Sequence, residues 1–206
     1  VHAKTRSHGR NLRILETHLL LNNQELCIIS SHWTSQLSQE GGGNGERGRN
    51  RYATTIREIY QRMLKQNPEA DCLVCGDFND RPEAESITQE LGTVSDRQLL
   101  IKSASSPKLL NLLANKPRES FGTIWYNGQP MIYDQICISR GLLDTQGWSC
   151  DPESVKTQTA GLIQKGSRRR QPWRYGDPAN TPIGGRGYSD HFPVTLQLTV
   201  FTPKPE

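Results

Sequence analysis

The sequence holds no apolar run approaching the roughly 20 residues that cross a bilayer, so no membrane helix is expected. Its first ten residues, 1–10, are basic and polar with no apolar stretch behind them, which excludes a signal-peptide pattern there. Cysteine is scarce and odd in number: Cys27, Cys72, Cys75, Cys137 and Cys150 argue against a disulfide framework. Cys72 and Cys75 have CxxC spacing, but no second Cys pair or Cys/His pair accompanies them, and their segment reads as a buried strand rather than a zinc or redox motif. No internal repeat and no linker of biased composition divides the chain, so its 206 residues are read as one domain with one core.

What is present is a polar, globular composition with 33% hydrophobic and 22% charged residues. The net charge of +4 attracts polyanions only mildly, yet it is unevenly placed. Between Val155 and Tyr188 lie Lys156, Lys165, Arg168, Arg169, Arg170, Arg174 and Arg186 against Asp177 alone. That stretch is either a solvated basic loop or a phosphate-binding rim.

Alternating apolar residues over 12–21 and a second apolar run over 25–31, joined by Asn22-Asn23, predict a β-hairpin. Residues 39–50 are Gly-rich and charged and read as a flexible loop. Ile56, Ile59, Tyr60 and Met63 have helical spacing, which predicts a helix over 52–66 stopped by Asn67-Pro68. A strand over 72–75, a shorter helix over 84–91, mostly loop over 102–120 and strands at 122–126 and 131–139 follow. Residues 151–187 show no period and read as a long surface loop, and Val194, Leu196, Leu198 and Val200 alternate in a terminal strand.

Acid, amide and imidazole side chains recur at the ends of these strands: His32, then Asp77 and Asn79, then Asp134, then Asp190 and His191. Phosphoester hydrolysis needs carboxylates for a hard cation, a base or positioned carboxylate for water, and donors for the charge developing on phosphorus. Any one of these residues could equally be a turn or cap residue; the combination is what points to chemistry.

Gly76-Asp77-Phe78-Asn79 resembles the GDFN motif, and Tyr188-Ser189-Asp190-His191-Phe192-Pro193-Val194 the terminal SDHxPV motif, of the endonuclease/exonuclease/phosphatase (DNase I-like) superfamily. Residues 28–35, ending a strand in His32, residues 132–139 bearing Asp134, and Thr123-Ile124-Trp125 are similar to further family segments, in the family's order. The resemblance implies an α+β fold, a four-layer α/β/β/α sandwich of two mixed β-sheets. It implies Mg2+, or Mn2+, at one sheet edge, with Asp190 and Asp77 as metal ligands. His191 would be the catalytic imidazole, oriented by Asp134. Asp77 and Asn79 would position the attacking water and a phosphate oxygen, and His32 would bond a non-bridging oxygen in the transition state. Trp125 would contact substrate beside His32 and Asn79, and Arg168, Arg169 and Arg170 would form a rim for it.

The family's opening strand with its Asn, and the Gln-Glu pair whose Glu is a principal metal ligand, have no counterpart here, so the chain is expected to represent the C-terminal two-thirds of the domain. Gln24-Glu25 falls in the first hairpin turn, where the family has no catalytic acid, and is read as a decoy. Three functions remain open: a phosphodiesterase or endonuclease on nucleic acid, a phosphatase or phosphodiesterase on phospholipid or inositol phosphates, and an inactive domain binding phosphate-rich partners. A monomer is expected.

Overall fold

In the first hairpin, Asn22 and Asn23 both take positive φ, 53° and 60°, the left-handed pair that lets a two-residue turn follow the strand twist. The hairpin's arms are β2 (Ile14–Leu21) and β3 (Gln24–His32), preceded by β1 (His2–His8), which pairs antiparallel with β2. The computed structural model describes residues 2–8, 12–39, 44–102, 106–166, 168, 170–177 and 179–201.

Helix α1 (Glu46–Gln66) carries the chain back, so that β4 (Cys72–Asp77) joins β3 in parallel, as a helical crossover allows. Beyond β4 come a π-helical turn (Ser86–Leu91), β5 (Thr93–Val94), α2 (Arg97–Lys102), β6 (Leu109–Asn111) and α3 (Arg118–Phe121). A tight hairpin, β7 (Ile124–Tyr126) and β8 (Gln129–Met131), leads into β9 (Asp134–Ile138). The chain ends with β10 (Trp148–Cys150), β11 (Lys156–Thr157), β12 (Val194–Thr195) and β13 (Leu198–Val200).

The central sheet has seven strands in the order β1-β2-β3-β4-β9-β6-β5 and is mixed. Strand periodicity sorts its residues onto two cores. Ile14, Cys27, Ile29, Cys72, Val74 and Cys137 face α1, packing with Tyr52, Ala53, Ile56, Ile59 and Tyr60. Leu26, Leu73, Ile136 and Ile138 face the other way, toward Leu142, Cys150, Val155, Val194, Leu196 and Leu198. That second β layer consists, among the described residues, of the two-stranded ladders β10-β13 and β11-β12.

Several expectations change in detail. The helix begins at Glu46, inside the span read as flexible, because Arg49 is buried in an ion pair with Asp80; residues 40–43 of that span lie outside the described ones. Residues 102–120 contain β6, whose Leu109 and Leu110 are buried on opposite faces. The strand read over 131–139 is two strands, interrupted at Ile132-Tyr133 where Thr123 takes the backbone bonds. The terminal strand also divides, although its alternation persists. Cys72 and Cys75 fall in different cores, which excludes a shared metal. All five cysteines are free.

Candidate active site

Strand register brings three site residues into one row. His32 is the parallel partner of Asp77, and Asp77 is the antiparallel partner of Asp134, so the last residues of β3 and β4 and the first of β9 stand side by side. Gly76 makes this possible. At its φ of 142° a Cβ would lie 1.9 Å from the Ser31 carbonyl oxygen, so only glycine fits where β4 meets β3 before Asp77.

The turn after Asp77 is held from three sides. Phe78 stacks on Trp33 at 4.4 Å, and its amide donates to the Tyr133 carbonyl at 2.9 Å. Asp80 is buried, accepting from Arg49 Nε at 2.8 Å and Ser86 Oγ at 2.9 Å. Its carbonyl accepts from Gln135 Nε2 at 2.7 Å, and Asn111 Nδ2 donates to the Gln135 Oε1 at 2.6 Å. Thr123 is fully buried, and its Oγ1 accepts from the amides of Tyr133 and Asp134, both at 3.1 Å. Its carbonyl accepts from Phe192 N at 2.7 Å, and Trp125 meets Phe192 edge-on. The Thr-x-Trp segment therefore anchors Asp134 on one side and the chain after His191 on the other.

The result is a pair: His191 Nδ1 lies 2.6 Å from Asp134 Oδ2, while Nε2 lies 3.9 Å from Asp77 Oδ2. Burial draws the imidazole's pKa down, but the Asp134 hydrogen bond and the charges of Asp134, Asp77 and Asp190 together carry it above its ordinary value. Burial and the neighbouring Asp134 push the Asp77 carboxyl up, opposed by His191, the Asn79 amide and His32. His32 Nε2 is 3.4 Å from Asp77 Oδ2, and its side chain is 60% exposed, free to meet a ligand.

These residues line one open cleft of about 650 Å³ with Ser35, Gln36, Trp125, Tyr126, Tyr133, Arg174 and Asp190. The structure thus brings His191, Asp134, Asp77, Asn79, His32, Trp125 and Asp190 together. Asn79 Nδ2 donates to the Trp33 carbonyl and to Asp77 Oδ2, both at 3.1 Å; both partners are acceptors, which fixes the amide orientation, and its hydrogens hold Asp77. Asp190 is exposed at the cleft and is not in the tight group of Asp77, Asp134 and His191, whose ligand atoms lie within 4.8 Å of one another.

The basic rim also shifts. Arg174 lines the cleft, whereas Arg168 and Arg170 are exposed elsewhere on the loop and Arg169 lies outside the described residues. The cause is local pairing: Gly187 N donates to the Arg174 carbonyl at 2.9 Å and Tyr188 N to the Trp173 carbonyl at 2.7 Å, which seats Arg174 beside Ser189-Asp190-His191. Composition marks all these arginines alike; only the pairing distinguishes them. Gln24-Glu25 sits at the opposite end of β3 from His32, where Glu25 bonds His18.

The donor set suits a hard divalent cation. Asp77 and Asp190 offer carboxylate oxygens, and Asp77 is raised by burial first and then by the neighbouring Asp134, a repulsion that a dication relieves.

Residues 3–200 match the family model described as endonuclease/exonuclease/phosphatase family. No curated protein sequence matches. Among solved structures, D. rerio TDP2 humanized by 14 mutations superposes with a TM-score of 0.55 at 13% identity, over 97% of this chain and 67% of that one. D. rerio TDP2 complexed with single strand DNA product gives 0.53 at 11% identity, over 97% and 68%. The mannosyl-6-phosphatase of Bacteroides thetaiotaomicron gives 0.52 at 14% identity, over 90% of this chain and 56% of that one. These likenesses are of fold, and the chain spans between 56% and 68% of the length of those three structures.

Proposed function

We propose, from the premise that this chain belongs to the endonuclease/exonuclease/phosphatase family, that it hydrolyses phosphodiesters with Mg2+, and that its substrate is a nucleic-acid backbone. The observation that carries this reading is the Asp134-His191 pair, 2.6 Å apart and set beside Asp77 in a cleft open at His32. Asp134 fixes Nδ1 as the protonated nitrogen and leaves His191 Nε2 to take the proton of the attacking water. Asp77 accepts a hydrogen bond from that water, with its carboxylate held by the backbone and side-chain amides of Asn79. His32 donates to a non-bridging oxygen as charge builds there. Asp77 and Asp190 would hold Mg2+, which supplies positive charge to the phosphoryl group when bound.

A diester reading is favoured over a monoester one by the cleft's shape. It is open instead of closed around a single phosphate, with Trp125 and Tyr126 on one wall and Arg174 at the border, and the stretch leading to Ser189 is basic. Such a border suits a polyanion that continues past the reacting bond. The D. rerio TDP2 structure with single strand DNA product is consistent with a nucleic-acid substrate on this fold.

The test is Mg2+-dependent nicking of supercoiled plasmid, beside hydrolysis of an aryl phosphodiester and of inositol phosphates, by the 206-residue chain and its His191→Ala and Asp134→Asn variants. Nicking that requires Mg2+ and falls about 100- to 10,000-fold in His191→Ala is expected. Release of phosphate from inositol phosphates with intact plasmid would transfer the reading to a phosphatase. No turnover of any of the three would remove the enzymatic reading of this chain.

A further inference from the structure

On β2 a carboxylate takes a core position: Glu16 is 8% exposed on the face it shares with Ile14, which packs against α1, while Leu15 and Leu20 are 42% and 39% exposed. Around Glu16 stand His8 of β1, His18 of β2, and Glu25 and Cys27 of β3. His18 Nε2 is 2.8 Å from Glu16 Oε1, His18 Nδ1 is 2.6 Å from Glu25 Oε1, and His8 Nε2 contacts Glu16 Oε2. Ligand atoms of Glu16, His18 and Cys27 all lie within 4.8 Å of one another. This cluster is five residues along β3 from His32, roughly 17 Å at strand rise, and takes no part in the cleft.

Ion pairing alone would account for the imidazoles and carboxylates, but burying them where the pattern calls for apolar side chains is costly. A thiol completes a different set. Two imidazoles, a carboxylate and a cysteine sulfur are the donors of a tetrahedral zinc site, and the Cys27 thiol approaches the group from the strand opposite His18. With bonds of about 2.0 to 2.3 Å the edges of such a tetrahedron are about 3.3 to 3.8 Å, so Glu16, His18 and Cys27 need shift by only about 1 Å, and His8, which touches Glu16 Oε2 but stands outside that group of three, moves further to complete the set. Glu25 already stands where an orienting carboxylate belongs, on the far nitrogen of His18. Cys72, fully buried, is the β4 register partner of Cys27 and lies in the same core.

We propose that His8, Glu16, His18 and Cys27 form a zinc site that clamps the edge strand β1 to β2 and β3. The clamp has a physical purpose in the fold. Residues 2–7 of β1 are exposed and bury nothing, so His8 is the one partly buried side chain of that strand. Zinc binding releases the Cys27 thiol proton and the Nε2 proton of each protonated imidazole to solvent, while His18 keeps its Nδ1 proton for Glu25. Arg62, 3.7 Å from Glu16 Oε2 and half exposed, swings outward as the dication takes over its charge.

The experiment uses the full chain stripped with chelator and then held in excess Mg2+, which occupies the carboxylates of the cleft. Titrated Zn2+ is expected to bind one to one with a rise in Tm, and Co2+ in its place to give the near-ultraviolet thiolate-to-cobalt absorption that no oxygen site produces. Cys27→Ser should abolish that band and Glu25→Gln, a change at an exposed residue that leaves folding intact, should weaken zinc affinity about 10- to 100-fold. Absence of one-to-one zinc uptake, a cobalt spectrum without the thiolate band, or a band that survives Cys27→Ser would each overturn the proposal.

Discussion

Arg49→Met tests how the candidate site is supported. Arg49 and Asp80 pair at 2.8 Å with side chains only 5% and 13% exposed, so neither charge has much water in reserve. Removing one partner of a buried pair costs about 3 to 5 kcal/mol, because the other charge stays buried. Asp80 keeps the Ser86 hydroxyl and the Arg81 amide, which places the expected loss near the lower end, about 3 kcal/mol. For a chain of this length that corresponds to a fall in Tm of about 6 to 12 °C. Arg49 Nη1 also donates to the Thr34 carbonyl at 3.5 Å, so the segment carrying Ser35 and Gln36 into the cleft loses that tether. The assay is urea and thermal unfolding of Arg49→Met, Asp80→Asn and the double variant. In the double variant no charge is stranded, and it should be more stable than the sum of the two single losses by about 2 kcal/mol. A single loss under about 1 kcal/mol, or losses that simply add, would refute the claim that this ion pair holds the turn.

Gly76→Ala should lose at least about 3 kcal/mol, since the new Cβ meets the Ser31 carbonyl and the backbone angle is strained as well; a variant that melts with the wild type would show that β3 and β4 do not close as described. Asp71 provides a pH test away from the cleft. Burial pushes its carboxyl up to about 6, against the pull of the Trp148 amide and with help from Asp144. The folded state then favours the protonated form, so this contribution is complete below the ordinary carboxylate range and is lost as pH rises through about 6. Asp71→Asn should remove that loss, and the stability of wild type relative to variant should fall by about 1 kcal/mol between pH 4 and 7, the full shift being reduced by solvent screening. A difference that stays constant or grows with pH would contradict it.

The candidate site was legible as a set of residue types at strand ends, because strand termini leave a periodic trace: Asp77 follows the apolar run 72–75, Asp134 opens the run 136–138 and His191 precedes the alternation over 194–200. Its internal division of labour was not. That Asn79 steadies Asp77 shows only once its two amide hydrogens are traced to Trp33 and Asp77. Arg174 is indistinguishable from Arg168 and Arg170 until Trp173 and Arg174 are found paired with Gly187 and Tyr188.

Local chemistry in the sequence determined the two-residue Asn turn, the amphipathic face of α1, the alternation over 194–200 and the glycine before Asp77, since each depends on backbone angles or periodicity that neighbouring residues settle among themselves. Tertiary structure alone decided the start of α1 and the gathering of His8, Glu16, His18 and Cys27 on one face. Those outcomes rest on partners distant in sequence: Arg49 folds into helix because Asp80 waits 31 residues away, and Cys27 meets His18 because strand register, not sequence spacing, sets which side chains touch.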